Sequence, residues 1–350
     1  MSIRTATDAE LANWDALLAT NPLHDEPLQA KVYGEFKSRF GWQPKHLVYE
    51  DGSRQIAMLF LVRNLPHFGE IWYCPKGPAI SSPAQLKDIM SGLKDELKNA
   101  FLVKFEPELM LDKTLLTDLT DLGLAKARFD LQWNKSTIVV DLSPSEDEIL
   151  QSFKQKHRYN IRLSARKGVV VRPMELTEAN MRTMYGLLLE TQKRNGFHMR
   201  SWNYMSTFWK LYSRAGQGQM FFAYMGDEIL SGVFATWLGT RALYKDGGST
   251  RTHSNLMAPY LAQWEVMKWL KGHGVTKYDL HGMPPRNKLE DDSHPLAGLV
   301  RFKQGFNAEV TEYVGVYDWP LNASKYARWQ KFGERLAVKR EVWLRKNLFY

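Results

Sequence analysis

The same order of secondary-structure signals occurs twice in this chain, and no other feature constrains the fold as tightly. Residues 28–40 have the apolar spacing of an amphipathic helix, and 44–49 and 56–62 read as strands around an Asp51-Gly52 turn. Residues 202–214 again read as a helix, and 219–225 and 229–238 as strands around Gly226-Asp227. The match continues beyond the hairpins. Residues 70–80 and 241–249 are strand-like and then glycine-rich, and 85–100 and 259–271 are helical by spacing. Residues 101–105 and 277–280 are strands that end near an acid, Glu106 and Asp279. The offset is far too long for a solenoid repeat. It predicts an α/β (α+β) protein built from two copies of one domain, each a mixed, mostly antiparallel sheet flanked by helices. A length of 350 residues is comfortable for two cores.

Between the copies, 137–142 reads as a strand followed by a helix start. Ser143 suits the cap, Pro144 the first helical position, and Glu146 completes a capping box. That helix is expected to run through Ile149, Leu150 and Phe153 toward Ala165 and to end at Gly168. The domain boundary is placed just before it, at 143/144. Residues 325–346 have no counterpart in the repeat. Trp329, Phe332, Leu336 and Trp343 recur there at helical spacing among many lysines and arginines. Such a helix suits anionic RNA or lipid, but the expectation is that its aromatic face packs on its own protein.

Charge narrows the function. The formal net charge is +9, which implies attraction to a polyanion. The densest feature is Lys154-Gln155-Lys156-His157-Arg158-Tyr159-Asn160-Ile161-Arg162, which no acid interrupts. Lys154, Lys156, Arg158 and Arg162 are therefore expected to face phosphates. Arg200 lies just before a helix that Ser201 can cap, where backbone N–H groups already favour an anion, and Tyr204 follows on the same element. In Leu299-Val300-Arg301-Phe302-Lys303-Gln304-Gly305-Phe306 a lysine stands between two aromatics, where spacing alone favours a solvated lysine on an amphipathic turn; the polar loop before it, 284–295, is a candidate lid.

The signatures of metal, phosphate-loop and serine-nucleophile catalysis are missing from the sequence, and the nine histidines show no paired ligand spacing. The one cysteine, Cys74, precedes a proline in an apolar stretch and reads as a buried hydrophobe. A lone cysteine and the lack of an apolar leader suggest the cytoplasm. An enzyme of this composition works by positioning and electrostatics, with no metal or bound cofactor expected.

Taken in order, the 28–42 stretch, Pro75-Lys76-Gly77-Pro78, the 136–168 block, Gly282, the Phe302-Lys303 pair and the strand up to Gly315 resemble the Fem (FemABX) family of tRNA-dependent peptidyl aminoacyltransferases. The resemblance implies two GNAT-like, acetyltransferase-type domains. One is 1–143 with a returning 318–350 segment, which binds the precursor; the other is 144–317, which takes the aminoacyl-tRNA end. It implies a short form, since no heptad stretch for a coiled-coil insertion is present. It implies aminoacyl-tRNA as donor, no cofactor, and as acceptor the stem-peptide amine of a UDP-linked or lipid-linked muropeptide precursor. The product is a peptidoglycan interpeptide bridge. Residue by residue, Lys37 and Arg200 fall on positions that hold the precursor's phosphates. Tyr204 and Tyr244 fall on cleft positions, Glu106 on the acidic position of the first domain, and Lys303, beside Phe302, on the lysine linked to catalysis. The expected location is the cytoplasm, with peripheral contact at the inner face of the membrane as an option. Oligomeric state and the amino acid transferred stay open.

Two alternatives stand beside this. An acetyl-CoA-dependent acetyltransferase of the same fold needs a pyrophosphate loop. The nearest stretch, Gln330-Lys331-Phe332-Gly333-Glu334-Arg335, sits in a helical tail. A non-catalytic basic protein for RNA or membrane surfaces explains the charge but leaves Arg200 and Lys303 without a purpose.

Overall fold

The computed structural model describes residues 2–22, 25–52, 54–132, 135–195 and 199–350. Its described strands, in chain order, are β1 (Ser2–Thr5), β2 (Gln43–Asp51), β3 (Arg54–Leu65), β4 (Gly69–Cys74), β5 (Ala100–Phe105), β6 (Ala125–Lys126), β7 (Ser136–Thr137), β8 (Val139–Asp141), β9 (Val170–Met174), β10 (Gly218–Met225), β11 (Glu228–Leu238), β12 (Arg241–Ser249), β13 (Lys277–Asp279), β14 (Thr311–Glu312) and β15 (Tyr317–Pro320). The chain divides into two units, Met1–Lys135 with Glu312–Tyr350, and Ser136–Thr311. These cuts lie several residues before the expected 143/144 and 317/318. The reason is pairing: β8 lies antiparallel to β13 in the second sheet, and Leu111 N–H already bonds Glu312 O within the first unit.

The first unit holds a seven-stranded sheet in the order β1-β2-β3-β4-β5-β15-β6. All its pairs are antiparallel except β4 with β5. A parallel pair needs a crossover, and the helix Pro83–Leu93 supplies it. Ser82 caps that helix, and Leu86, Ile89, Met90 and Leu93 are buried. β3 is buried from Ile56 to Val62 because both its faces are covered. Its β4 partner reaches only to Leu61. Two buried amides replace the missing ladder. Asn21 exchanges two bonds of 2.9 Å with Ala57, and Gln29 accepts from Leu59 N–H at 2.7 Å and donates to its carbonyl.

The second unit repeats the plan with a six-stranded sheet in the order β8-β13-β12-β11-β10-β9. β12 and β13 are its parallel pair, bridged by the helix Ala258–Gly272. The order of elements expected from the repeat is thus present in both units, as mixed, mostly antiparallel sheets flanked by helices.

Three local expectations are corrected. The cap of the 146 helix is Ser145, whose hydroxyl accepts from Glu148 N–H while Glu148 accepts from Ser145 N–H at 2.9 Å. Ser143 is taken by Asp141, which accepts from its N–H and its hydroxyl. The single helix expected from there to Ala165 is two, Glu146–Ser152 and Gln155–Arg166. Phe153 breaks it in extended backbone (ψ 150°), where its ring packs edge-on to Trp264 and Phe306. In the tail, Trp329 is buried edge-on to Phe68 and Phe101, but Phe332, Leu336 and Trp343 stay exposed. Among the described residues no helix is long and apolar enough to cross a membrane.

Candidate active site

The most built polar arrangement in the second unit starts at the end of β13. Asp279 is buried, and its carboxylate accepts the Thr137 hydroxyl, the His281 N–H at 2.7 Å and faces Arg241 at 3.5 Å. An aspartate that accepts the N–H two residues on makes an Asx turn. The chain follows it into left-handed backbone at His281 (φ 55°) and Gly282 (φ 59°). The two carbonyls so presented both accept from Lys303, Gly282 O at 2.7 Å and His281 O beside it. Lys303 ends the helix Ala297–Lys303 and is buried. Burial pulls its amine down to about 7, and the negative charge of Asp279 opposes that pull. A lysine near neutrality, fixed by two acceptors, is a group prepared to hold or give up a proton at physiological pH.

The helix that carries Lys303 is held from the other side by His157. Its Nε2 lies 2.8 Å from Phe302 O, so the ring N–H donates there. The ring stands edge-on to Tyr260 (4.8 Å) and Phe306 (4.9 Å), and burial pulls its pKa below the usual value, opposed by the bond to Phe302. Gly305 lets the ring approach, since a Cβ there would sit 1.8 Å from it. Lys154 N–H bonds Gly305 O at 2.9 Å. Phe302 itself packs edge-on to Tyr260 and Phe306. It acts on the site through packing and its carbonyl.

The basic helix Gln155–Arg166 buries His157, Asn160, Ile161 and Ser164. Lys154, Lys156 and Arg162, expected to face phosphates, are exposed. Arg158 departs from that expectation. Its guanidinium turns back to donate to Gln151 O at 3.0 Å and to Phe153 O, capping the carbonyl end of the preceding helix.

A second cluster of the same unit gathers the residues that the resemblance assigns to substrate binding. Ser201 caps the helix Trp202–Arg214 by accepting from Tyr204 N–H. The Arg200 guanidinium lies 4.4 Å from the centre of the Tyr204 ring, and Tyr185 donates to Arg200 O. Tyr204 is buried, and Tyr244 on β12 folds its ring over Gly247. Burial pushes both hydroxyls up, and both feel the charge of Asp246, which accepts from Trp209 Nε1–H at 2.9 Å. Gly196, a glycine whose place in the sequence suits the end of the helix before Arg200, lies outside the described residues.

In the first unit, Glu106 follows β5. Its Oε2 accepts the Tyr73 hydroxyl and, at 3.4 Å, the Lys76 N–H. Its Oε1 is buried with no hydrogen-bond partner among the described residues. Burial raises its pKa, opposed by the charge of Lys76, whose Nζ lies 3.0 Å from Glu108. Gln132 donates to Tyr73 at 3.1 Å. Lys37, which the resemblance places among the precursor's phosphate contacts, is buried beside the Tyr33 and Trp42 rings.

Asp279 and His157 are the positioning residues that reasoning from sequence passed over. The signal for the first was available, an aspartate two residues before a His-Gly pair. The second stood inside a basic run that drew attention to charge.

The model of the FemAB family matches residues 12–225 and 210–332. The chain belongs to the FemAB family. As a member it is an acyltransferase. It is 22% identical to a lipid II:glycine glycyltransferase of Staphylococcus haemolyticus (strain JCSC1435) over 92% of this chain and 94% of the relative. The figures are the same for the Staphylococcus aureus (strain MRSA252) enzyme of that name. The aligned stretch, 400 positions, exceeds the length of this chain, so the relative carries residues with no counterpart here. A crystal structure of FemX superposes with a TM-score of 0.79 at 18% identity, covering 95% of this chain and all of that one, which places the fold.

Proposed function

We propose that this chain transfers an amino acid from an aminoacyl-tRNA to the stem-peptide amine of a lipid-linked peptidoglycan precursor, forming an interpeptide bridge. The observation that carries this reading is Lys303, buried and held by the His281 and Gly282 carbonyls in a chain of the FemAB family. The lipid-linked acceptor follows the relatives, whose names specify lipid II. The tRNA donor follows the exposed Lys154, Lys156 and Arg162.

The chemistry suits the residues. Aminolysis of an aminoacyl ester needs no covalent help, because the donor is already activated. It needs a donor for the tetrahedral oxyanion and a path for the proton of the attacking amine. An alkyl amine costs about 4–5 kcal/mol to deprotonate at pH 7. Lys303, as a cation with two N–H bonds fixed by carbonyls, offers its third N–H to the oxyanion. In the first unit, Glu106 has a carboxyl raised by burial and an oxygen with no hydrogen-bond partner among the described residues, as a proton-holding acid would. Arg200, above Tyr204, is the phosphate contact.

Transfer assays with charged tRNA and lipid-linked acceptor test this. RNase treatment abolishes activity, and acetyl-CoA does not replace the charged tRNA. Lys303→Met lowers kcat by about 10²–10³, the effect of removing one oxyanion donor, while tRNA affinity is unchanged. Full transfer by Lys303→Met with intact tRNA binding overturns the role of Lys303, and RNase-resistant transfer overturns the donor.

A further inference from the structure

The C-terminal helix Glu334–Arg345 shows an outward face that the reaction does not use. Leu336 is 60%, Trp343 83% and Leu344 56% exposed, and Phe332 in the preceding turn is 45% exposed. Their spacing puts them on one side of the helix. Arg335, Lys339 and Arg340 are exposed between them. Both acids of the helix point the other way. Glu334 is buried against Lys104 at 3.1 Å and accepts from Tyr350 at 2.7 Å, and Glu341 pairs with Arg63. The outer face therefore combines apolar and basic residues and carries no acid.

The inward contacts also hold this face in place. Trp42 Nε1–H donates to Phe349 O, and the Trp42 ring stands edge-on to Phe349 at 5.6 Å. The chain beyond the helix is thus packed down and does not fold back over Trp343. Soluble monomers rarely leave so many large apolar groups together in water. An ordinary solvated helix mixes acids with its bases for i,i+4 pairing.

We propose that this face docks on an anionic phospholipid surface, with Phe332, Leu336, Trp343 and Leu344 at the headgroup level and the arginines and lysine against the lipid charge. The composition is that of an interfacial helix. Charge decides the sign of the surface, and the aliphatic groups decide its nature. RNA offers Trp343 a stacking partner but gives Leu336 and Leu344 none. Docking would bring the first unit to the surface where a lipid-linked acceptor resides.

Co-sedimentation of the full chain with vesicles tests this without any substrate, so its failure is separable from failure of the transfer reaction. One set of vesicles is phosphatidylcholine, the other equal parts phosphatidylcholine and phosphatidylglycerol. The chain is expected to bind the mixed vesicles. Leu336→Ser with Trp343→Ser lowers that binding about tenfold or more. Arg335→Gln with Arg340→Gln lowers it about fivefold per charge on the mixed vesicles only. All four positions are exposed, so thermal melts match the wild type. Failure of the full chain to bind mixed vesicles overturns the proposal, as does undiminished binding by both variants. Retained vesicle binding with lost tRNA affinity assigns the face to RNA and overturns it equally.

Discussion

Lys303 makes a prediction about stability as sharp as the one about catalysis. Burial holds its folded amine at about 7, against 10.5 for a free lysine. The unfolded chain therefore binds a proton that the folded chain has shed between those two values, and stability rises with pH across that window. Below pH 7 both states carry the charge, and the folded state bears the whole penalty of burying it. Above 10.5 neither carries it. A difference of this size corresponds to roughly 5 kcal/mol. Between about pH 6 and about pH 9.5, roughly 3 kcal/mol of that penalty is relieved. Lys303→Met removes the titration altogether. It also leaves the His281 and Gly282 carbonyls without their donor, at about 1–3 kcal/mol each, but that loss is the same at every pH. Urea unfolding of both proteins across this range, followed by tryptophan fluorescence, isolates the effect, because every other titration cancels in the difference. The stability of wild type minus variant should grow by about 3 kcal/mol toward the alkaline end. A flat difference, or one that shrinks, refutes the buried neutral-poised amine.

Other positions test the frame around the site. Gly305→Ala drives a methyl into the His157 ring and should destabilise by about 1–3 kcal/mol, with His157→Ala recovering part of it in a double-mutant cycle by urea melts. Lys104→Met strands Asp318 and Glu334, both buried within 3.1 Å of its amine, and should cost about 3–5 kcal/mol, read by the same melts. Ser145→Ala should cost about 1 kcal/mol as loss of a true cap, and Ser143→Ala clearly less, which thermal melts of the two variants compare directly.

The legible and illegible parts of this molecule divide by range. The two-fold order of elements was readable because hairpin turns such as Asp51-Gly52 and alternating apolar runs are local signals. The helix Trp202–Arg214 and the strand Arg241–Ser249 lie where periodicity puts them. The Ser143 cap was misread because a competing acceptor, Asp141, stands two residues before it. The break at Phe153 comes from rings distant in sequence, Trp264 and Phe306. The spacing around Lys303 favours a solvated lysine, which its burial corrects, and only the resemblance marks it for the site. The carbonyl pair that holds it depends on left-handed backbone at His281, which a histidine does not announce. Arg158 looked like its basic neighbours, and only the carbonyls of the preceding helix show where it goes. The tail deceived in the opposite direction. Its helical spacing is real, but the face that packs inward is the one with Glu334 and Glu341.

Aminoacyl transfer onto a peptidoglycan stem peptide is read by incubating the purified chain with a total pool of charged tRNA and a lipid-linked muropeptide and weighing the acceptor by mass spectrometry. The stem peptide should become heavier by an amino-acid residue, attached at the side-chain amine and absent when the tRNA is digested first. An acceptor of unchanged mass in the presence of intact charged tRNA would contradict that transfer.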